Sequence, residues 1–270
     1  MVDSKTGLLE REKEVLRLIE MFNMETIRFI VIGGYAVSTY KKRFSIDLDI
    51  VIQESDLLKI EGLLSREGYI FGYKKEISLL YGENFKRFTK KMNNLPVDVD
   101  LLINGLVSRT TDSTWSFSKI DENSIKRNLD TLDFLTPIRE LLICQELFFR
   151  KLPTLVREKE KTILEHAQEP KHAIHFSVWF LTSMKIHSGR LSDTRDIVAL
   201  MPCDKNKLKE FLFRGNLNSL KNSMKHQLAF LEKPQFDDSF KGIFGIKAYN
   251  QKDIEFAKKL YNELLQEIKE

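Results

Sequence analysis

Val31-Ile32-Gly33-Gly34-Tyr35-Ala36-Val37-Ser38-Thr39-Tyr40-Lys41-Lys42-Arg43-Phe44-Ser45-Ile46-Asp47-Leu48-Asp49-Ile50 is the stretch from which the fold is read. It opens at the end of an apolar, β-branched run, residues 27–32, which predicts a strand. Two glycines then close a tight turn, and residues 35–42 read as a short helix opening at them. Residues 46–52, Ile-Asp-Leu-Asp-Ile-Val-Ile, predict a second strand.

Alternate residues of a strand share a face, so Asp47 and Asp49 project together with Cα atoms roughly 6.5–7 Å apart. Their oxygens can converge on one or two hard cations, and magnesium takes oxygen ligands while keeping positions for water and phosphate. The glycines let backbone approach a ligand without Cβ interference, and a helix opening there offers N–H groups to an anion. A phosphate at that turn beside a carboxylate-bound metal is the arrangement that nucleotidyl transfer requires. Taken singly, Gly-Gly is a common turn and Asp-x-Asp a common exposed pair. Here the like charges stand in an apolar strand, which is costly without a counter-ion.

Outward from this unit, residues 8–22 read as an amphipathic helix and residues 55–67 as another, stopped by Gly68. Strand-like pieces follow at 69–73, 77–81, 85–89 and 97–103. Residues 104–130 are polar, loop with some strand. From Thr136 the pattern turns helical, over 137–151, 155–166, 172–188, 191–201, 205–214, 219–231 and 251–268, with breaks at 216–218 and at Lys233-Pro234. The expectation is an α+β chain: a mixed β-sheet with flanking helices over 1–135, then an all-helical domain over 136–270. The two halves are expected to pack closely around a cleft.

Composition narrows the class. The chain has 270 residues, 42% hydrophobic and 30% charged, which is ordinary for a globular protein. A net charge of +4 permits a polyanionic partner without demanding one. Cys144 and Cys203 alone build neither a disulfide framework nor a four-cysteine zinc site, and they suit a reducing cytoplasm. Residues 1–14 lack the apolar core of a signal peptide, and the apolar run 176–184 is too short for a membrane helix. The expectation is a soluble, cytoplasmic protein with no membrane partner.

The Gly-Gly to Asp-x-Asp unit resembles the signature of the nucleotidyltransferase superfamily, with its polymerase-beta-like fold. Gly33-Gly34-Tyr35-Ala36-Val37, Tyr40, Arg43, Ser45 and Asp47-Leu48-Asp49 are similar to the AbiEii toxin-like group. Ser45 replaces the usual threonine and keeps the hydroxyl. The resemblance implies Asp47 and Asp49 as metal ligands for Mg²⁺ or Mn²⁺, with Gly33, Gly34, Arg43 and Ser45 at the nucleotide. It also implies a third carboxylate from a neighbouring strand. Val99-Asp100-Leu101-Leu102-Ile103-Asn104-Gly105 matches the group's pattern best, so Asp100 is the first choice, as metal ligand or general base, and Asp98 the reserve.

Residues 180–197 resemble a further segment of the group. Lys185 would contact the nucleotide phosphates, and Asp193 would complete the site or orient Lys185. The same residues also suit a plain helix start, with Ser192 or Asp193 as cap, Asp196 in the first turn and Arg190 as a surface partner. The activity implied is transfer of a nucleoside monophosphate from an NTP to an acceptor, tRNA or protein, as the toxin of a toxin–antitoxin pair with its cognate antitoxin. A small-molecule acceptor, or a non-catalytic nucleotide- or RNA-binding module on the same fold, are the alternatives.

Other features read as structural. His166, His172 and His175 stand around Pro170 as surface or inter-helix residues, and Cys144 reads as core packing. Lys74-Lys75, Lys86-Arg87 and Lys90-Lys91 flank strands rich in Tyr and Phe. They suit either a channel for a polyanion or a solvated charged face.

Overall fold

The computed structural model describes residues 4–43, 45–72, 84–128 and 172–268. The expected strand at 77–81, the helices over 137–151 and 155–166, Lys74, Lys75, Cys144 and His166 lie outside these residues.

The strands are β1 (Phe29–Val31), β2 (Asp47–Ile52), β3 (Ile70–Phe71), β4 (Phe85–Met92), β5 (Leu95–Ile103), β6 (Gly105–Val107), β7 (Thr114–Ser116), β8 (Ser124–Asn128) and β9 (His172–Phe176). Among the described residues, seven form a mixed sheet in the order β3-β4-β5-β2-β1-β9-β8, while β6 and β7 pair as a separate ribbon. β2 runs parallel to β5 and β1 parallel to β9; the other neighbours are antiparallel. The chain is therefore mixed α and β, with a mixed sheet and a helical C-terminal region.

Strand alternation sorts β2 cleanly. Leu48, Ile50 and Ile52 turn to one face and are fully buried, while Asp47 and Asp49 turn to the other. β5 is sorted the same way, with Val97, Val99, Leu101 and Ile103 opposite Asp98 and Asp100. Helix α1 (Ser4–Met24) packs on β4 and β5 and fully buries Val15, Leu18, Ile19 and Phe22. Each such side chain contributes about 1.5–3 kcal/mol of hydrophobic stabilisation. Helix α2 (Gly33–Ser38) follows β1 directly, and α3 (Glu54–Arg66) follows β2, burying Ile60, Leu63 and Leu64.

After the short α4 (Phe117–Glu122) and the last two strands of the sheet come α5 (Val178–Ser188), α6 (Leu191–Ala199), α7 (Lys205–Leu212), α8 (Leu217–Leu231), α9 (Gln235–Phe244) and α10 (Gln251–Glu267). α5 packs on α6 and α7; α8 packs on α5, α6 and α10; α6 touches α2. This last contact brings the helical region to the glycine turn.

Two elements depart from the sequence expectation. Residues 172–188 were expected as one helix, but 172–176 form β9, and α5 begins at Val178. Ser177, extended at φ −59° and ψ 153°, separates the two. The sheet thus draws a strand from beyond residue 136, out of a stretch expected to be all helical. α9 has no counterpart among the expected helices; Phe236, Phe240 and Phe244 line one of its faces, the last two stacked at 4.7 Å. Residues 104–130 hold the β6–β7 ribbon, α4 and β8. No helix among the described residues is long and apolar enough to cross a membrane.

Candidate active site

Parallel pairing of β2 with β5 sets Asp47 beside Asp98 and Asp49 beside Asp100. Register partners share a face, so four carboxylates form one block on the sheet. Antiparallel β4 completes the row, with Thr89 opposite Asp98 and Arg87 opposite Asp100. The Arg87 guanidinium grips both oxygens of Asp100, Nε donating to Oδ1 at 2.5 Å and Nη2 to Oδ2. The Thr89 hydroxyl donates to Asp98 Oδ1 at 2.6 Å, and the Ser45 hydroxyl to Asp47 Oδ1 at 2.9 Å. Neither Asp47 nor Asp49 has an ion-pair partner within the described residues.

The electrostatics follow from this layout. Burial pushes the Asp49 carboxyl well above the usual range, and neighbouring Asp47 and Asp100 push it further; Lys185 and Arg190 offset only part. Burial also raises Asp100, outweighing the Arg87 pair. The block is short of positive charge, most of all at Asp49.

The glycine turn is built around the same acids. Gly33 has φ +63°, and a Cβ there would lie 1.9 Å from Asp49 Oδ2. A Cβ on Gly34 would lie 2.2 Å from Ser45 Oγ. Glycines at both positions let the start of α2 rest on the side chains of Asp49 and Ser45. The Ile32 amide donates to the Asp49 carbonyl at 2.9 Å, and the Tyr35 hydroxyl to the Ser45 carbonyl at 3.2 Å.

Across from the turn, Lys185 on α5 sits between two carboxylates of α6, its Nζ 2.9 Å from Asp193 Oδ1 and 2.7 Å from Asp196 Oδ2. All three residues are buried, at 6%, 4% and 1% exposure. Left-handed Gly189, φ +67°, ends α5 and turns the chain so that α6 brings Asp193 and Asp196 back to the lysine. Asp193 also accepts from the Ser188 hydroxyl at 2.5 Å and from Arg190 Nε at 2.8 Å, while Arg43 pairs with Asp196. Burial disfavours both charged forms, yet Lys185 and Arg190 bring Asp193 to about 2, and Asp193 with Asp196 lift Lys185 above its ordinary value. Behind them, Gln227 of α8 donates to the Lys185 carbonyl at 3.1 Å, and the Tyr261 hydroxyl of α10 donates to Gln227 Oε1 at 2.9 Å.

A cavity of about 640 Å³ opens over these groups. Gly33, Gly34, Arg43, Ser45, Asp47, Asp49, Asp100, Lys185 and Asp193 all line it. Phe85, Leu102, Leu106 and Val107 add apolar lining, and Arg190 and Arg195 add basic groups. Asp100 lines the cavity and Asp98 is not among the lining residues.

Four sequence expectations are refined by these contacts. Asp193 holds Lys185 in place rather than merely starting a helix. Arg43 lines the cavity with its guanidinium on Asp196, and Ser45 lines it with its hydroxyl on Asp47. Asp196, expected only as a first-turn residue, bridges Lys185 and Arg43; its i, i+3 spacing from Asp193 was the available signal.

Among the described residues no three His, Cys, Asp or Glu side chains form a ready-made metal cage. Magnesium does not need one, since one or two carboxylates suffice beside water and phosphate oxygens. The all-oxygen pair Asp47 and Asp49, with its deficit of positive charge, fits such a cation. Asp100 has both oxygens on Arg87.

Three basic residues of β4 have acidic partners. Lys86 pairs with Glu61 at 2.6 Å, Lys90 with Glu14 at 2.9 Å, and Arg87 with Asp100. His172 and His175 fall on β9 rather than between helices. An unanticipated group is His187, fully buried, with Nδ1 2.7 Å from Thr111 Oγ1 and Nε2 2.9 Å from the Leu212 carbonyl. It ties the β6–β7 connection to α5 and α7. No protein-family model matches the chain, and no curated protein matches it.

Proposed function

We propose that this chain is a magnesium-dependent nucleotidyltransferase with a nucleotidyltransferase-like fold. It moves a nucleoside monophosphate from an NTP to an acceptor hydroxyl and releases pyrophosphate. The observation that carries the reading is the pairing of Asp49 with Asp100 in register, against the Gly33-Gly34 turn, inside the cavity.

Asp47 and Asp49 hold the cation, Mg²⁺ or Mn²⁺. When bound, it neutralises phosphate charge and stabilises the entering and leaving oxygens. The glycine turn leaves room for phosphate oxygens close to the backbone. An ammonium has three donors; Lys185 gives one each to Asp193 and Asp196 and directs the remaining one to the triphosphate. The Gln227–Tyr261 pair fixes the backbone that carries it. Asp100, raised by burial and held by Arg87, accepts the acceptor's proton as the oxygen attacks the α-phosphorus and the bond to the β-phosphate oxygen breaks. Arg190 and Arg195, which line the cavity, meet the negative charge of the nucleotide.

The acceptor proposed on the sequence resemblance is tRNA or a protein, in the cytoplasm, with a cognate antitoxin as regulator. One observation favours a second reading, a non-catalytic nucleotide-binding module: Asp100 is already neutralised by Arg87. Incubation with all four NTPs, Mg²⁺ and total tRNA or cell extract, followed by mass spectrometry, decides between them. The enzyme reading expects one acceptor class to gain a nucleoside monophosphate, and Asp47→Ala to abolish the gain. No added mass on any acceptor, with NTP affinity unchanged in Asp47→Ala, supports the module.

A further inference from the structure

The geometry points to Arg87 as a built-in cation that limits the free protein to a single divalent metal, held by Asp47 and Asp49, and keeps a second from Asp100. This rests on the metal-dependent reading above and adds to it which acids take metal and which do not.

The four carboxylates of the block are treated differently by the two strands that carry them. On β5, Asp100 has both oxygens in the planar fork of Arg87, and Asp98 takes the Thr89 hydroxyl at 2.6 Å with Arg87 Nη1 4.0 Å from its Oδ2. A guanidinium fork matches a carboxylate edge to edge and leaves that edge closed to another cation. Arg87 is held where it is by register, directly opposite Asp100, and by the Phe85 ring 5.9 Å from its guanidinium carbon. On β2, Asp47 has only the neutral Ser45 hydroxyl, and Asp49 has no ion pair among the described residues. Ion-paired positive charge is thus supplied from within the chain to β5, whereas Asp49 on β2 feels Lys185 and Arg190 only at a distance.

A divalent ion approaching Asp100, itself only 4% exposed, meets a fixed positive charge a few ångströms away. The same ion at Asp47 and Asp49 meets two acids and no cation in contact. Arg87 therefore steers the metal to β2 and keeps it from Asp100.

The probe is Mn²⁺ alone, without nucleotide, counted and titrated by its electron paramagnetic resonance signal. The wild-type chain should bind a single Mn²⁺. Asp100→Asn should stay within about twofold of that affinity, and Asp47→Asn should weaken it by at least about tenfold. Arg87→Met, checked for folding by circular dichroism, should admit a second Mn²⁺ that is lost again in Arg87→Met/Asp100→Asn. The inference is overturned if Asp100→Asn weakens wild-type binding as much as Asp47→Asn does, a comparison that does not depend on Arg87→Met folding. It is equally overturned if folded Arg87→Met still takes one Mn²⁺ with unchanged affinity. In both cases Asp47-dependent binding leaves the metal reading standing. Absence of Mn²⁺ binding from both wild type and Arg87→Met removes the metal reading and this inference together.

Discussion

Replacing Lys185 by methionine removes the ammonium from between Asp193 and Asp196 while keeping a chain of similar length and apolar character. The two carboxylates are 4% and 1% exposed, so each loses a contact that water cannot replace. Breaking a buried ion pair from one side costs about 3–5 kcal/mol, because the charge left behind is uncompensated. Here Asp193 keeps Ser188 and Arg190, and Asp196 keeps Arg43. The expected loss is therefore at the lower end, about 3 kcal/mol. In urea denaturation at pH 7, with a slope near 3 kcal/mol/M for a chain of this size, the midpoint falls by about 1 M. Lys185→Met/Asp193→Asn should recover part of the loss, since it removes one of the two stranded charges. A loss below about 1 kcal/mol, with no recovery in the double variant, refutes the buried triad as described.

Two further outcomes follow from the same contacts. Burial holds His187 at about 4, below its ordinary 6.5, so the unfolded chain binds the extra proton first. Its contribution is complete above pH 6.5 and declines as pH falls toward 4, by about 3 kcal/mol in all; His187→Gln should flatten the stability profile over that window, and an unchanged slope contradicts it. Gly34→Ala places a methyl 2.2 Å from Ser45 Oγ, so Ser45 must move and its bond to Asp47 is lost. Mn²⁺ affinity should fall by about tenfold with the fold retained, and an unchanged titration counts against the close packing of turn and acids.

The β2 strand was legible because its alternation is strict: Leu48, Ile50 and Ile52 inward, Asp47 and Asp49 outward. The glycine turn was legible as a close approach, although the thing approached includes the protein's own Asp49 and Ser45. Lys185, Asp193 and Asp100 were placed at the site by resemblance, and all three line the cavity. Most of what the sequence concealed depends on partners distant along the chain. Arg87 stood in a run of basic residues; the local signal passed over is Asn93-Asn94, both at positive φ, the two-residue turn that pairs Met92 with Leu95 and so sets Arg87 against Asp100. His172–Phe176 abuts a helix with no glycine or proline between, so only its pairing with β1 and β8 makes it a strand. Asp196 looked like helix-start charge until α2 and α6 came together and Arg43 reached it.

The central claim, phosphoryl chemistry at the α-position driven by the Asp47–Asp49 pair, is tested most directly by the fate of two labels. The wild-type chain is incubated with Mg²⁺, an acceptor pool of tRNA and extract, and NTP labelled either at the α- or at the γ-phosphate. Nucleotidyl transfer predicts α-label on the acceptor, γ-label released as pyrophosphate, and neither in Asp47→Ala or without Mg²⁺. Transfer of γ-label to the acceptor, or α-label transfer that survives Asp47→Ala, contradicts the account.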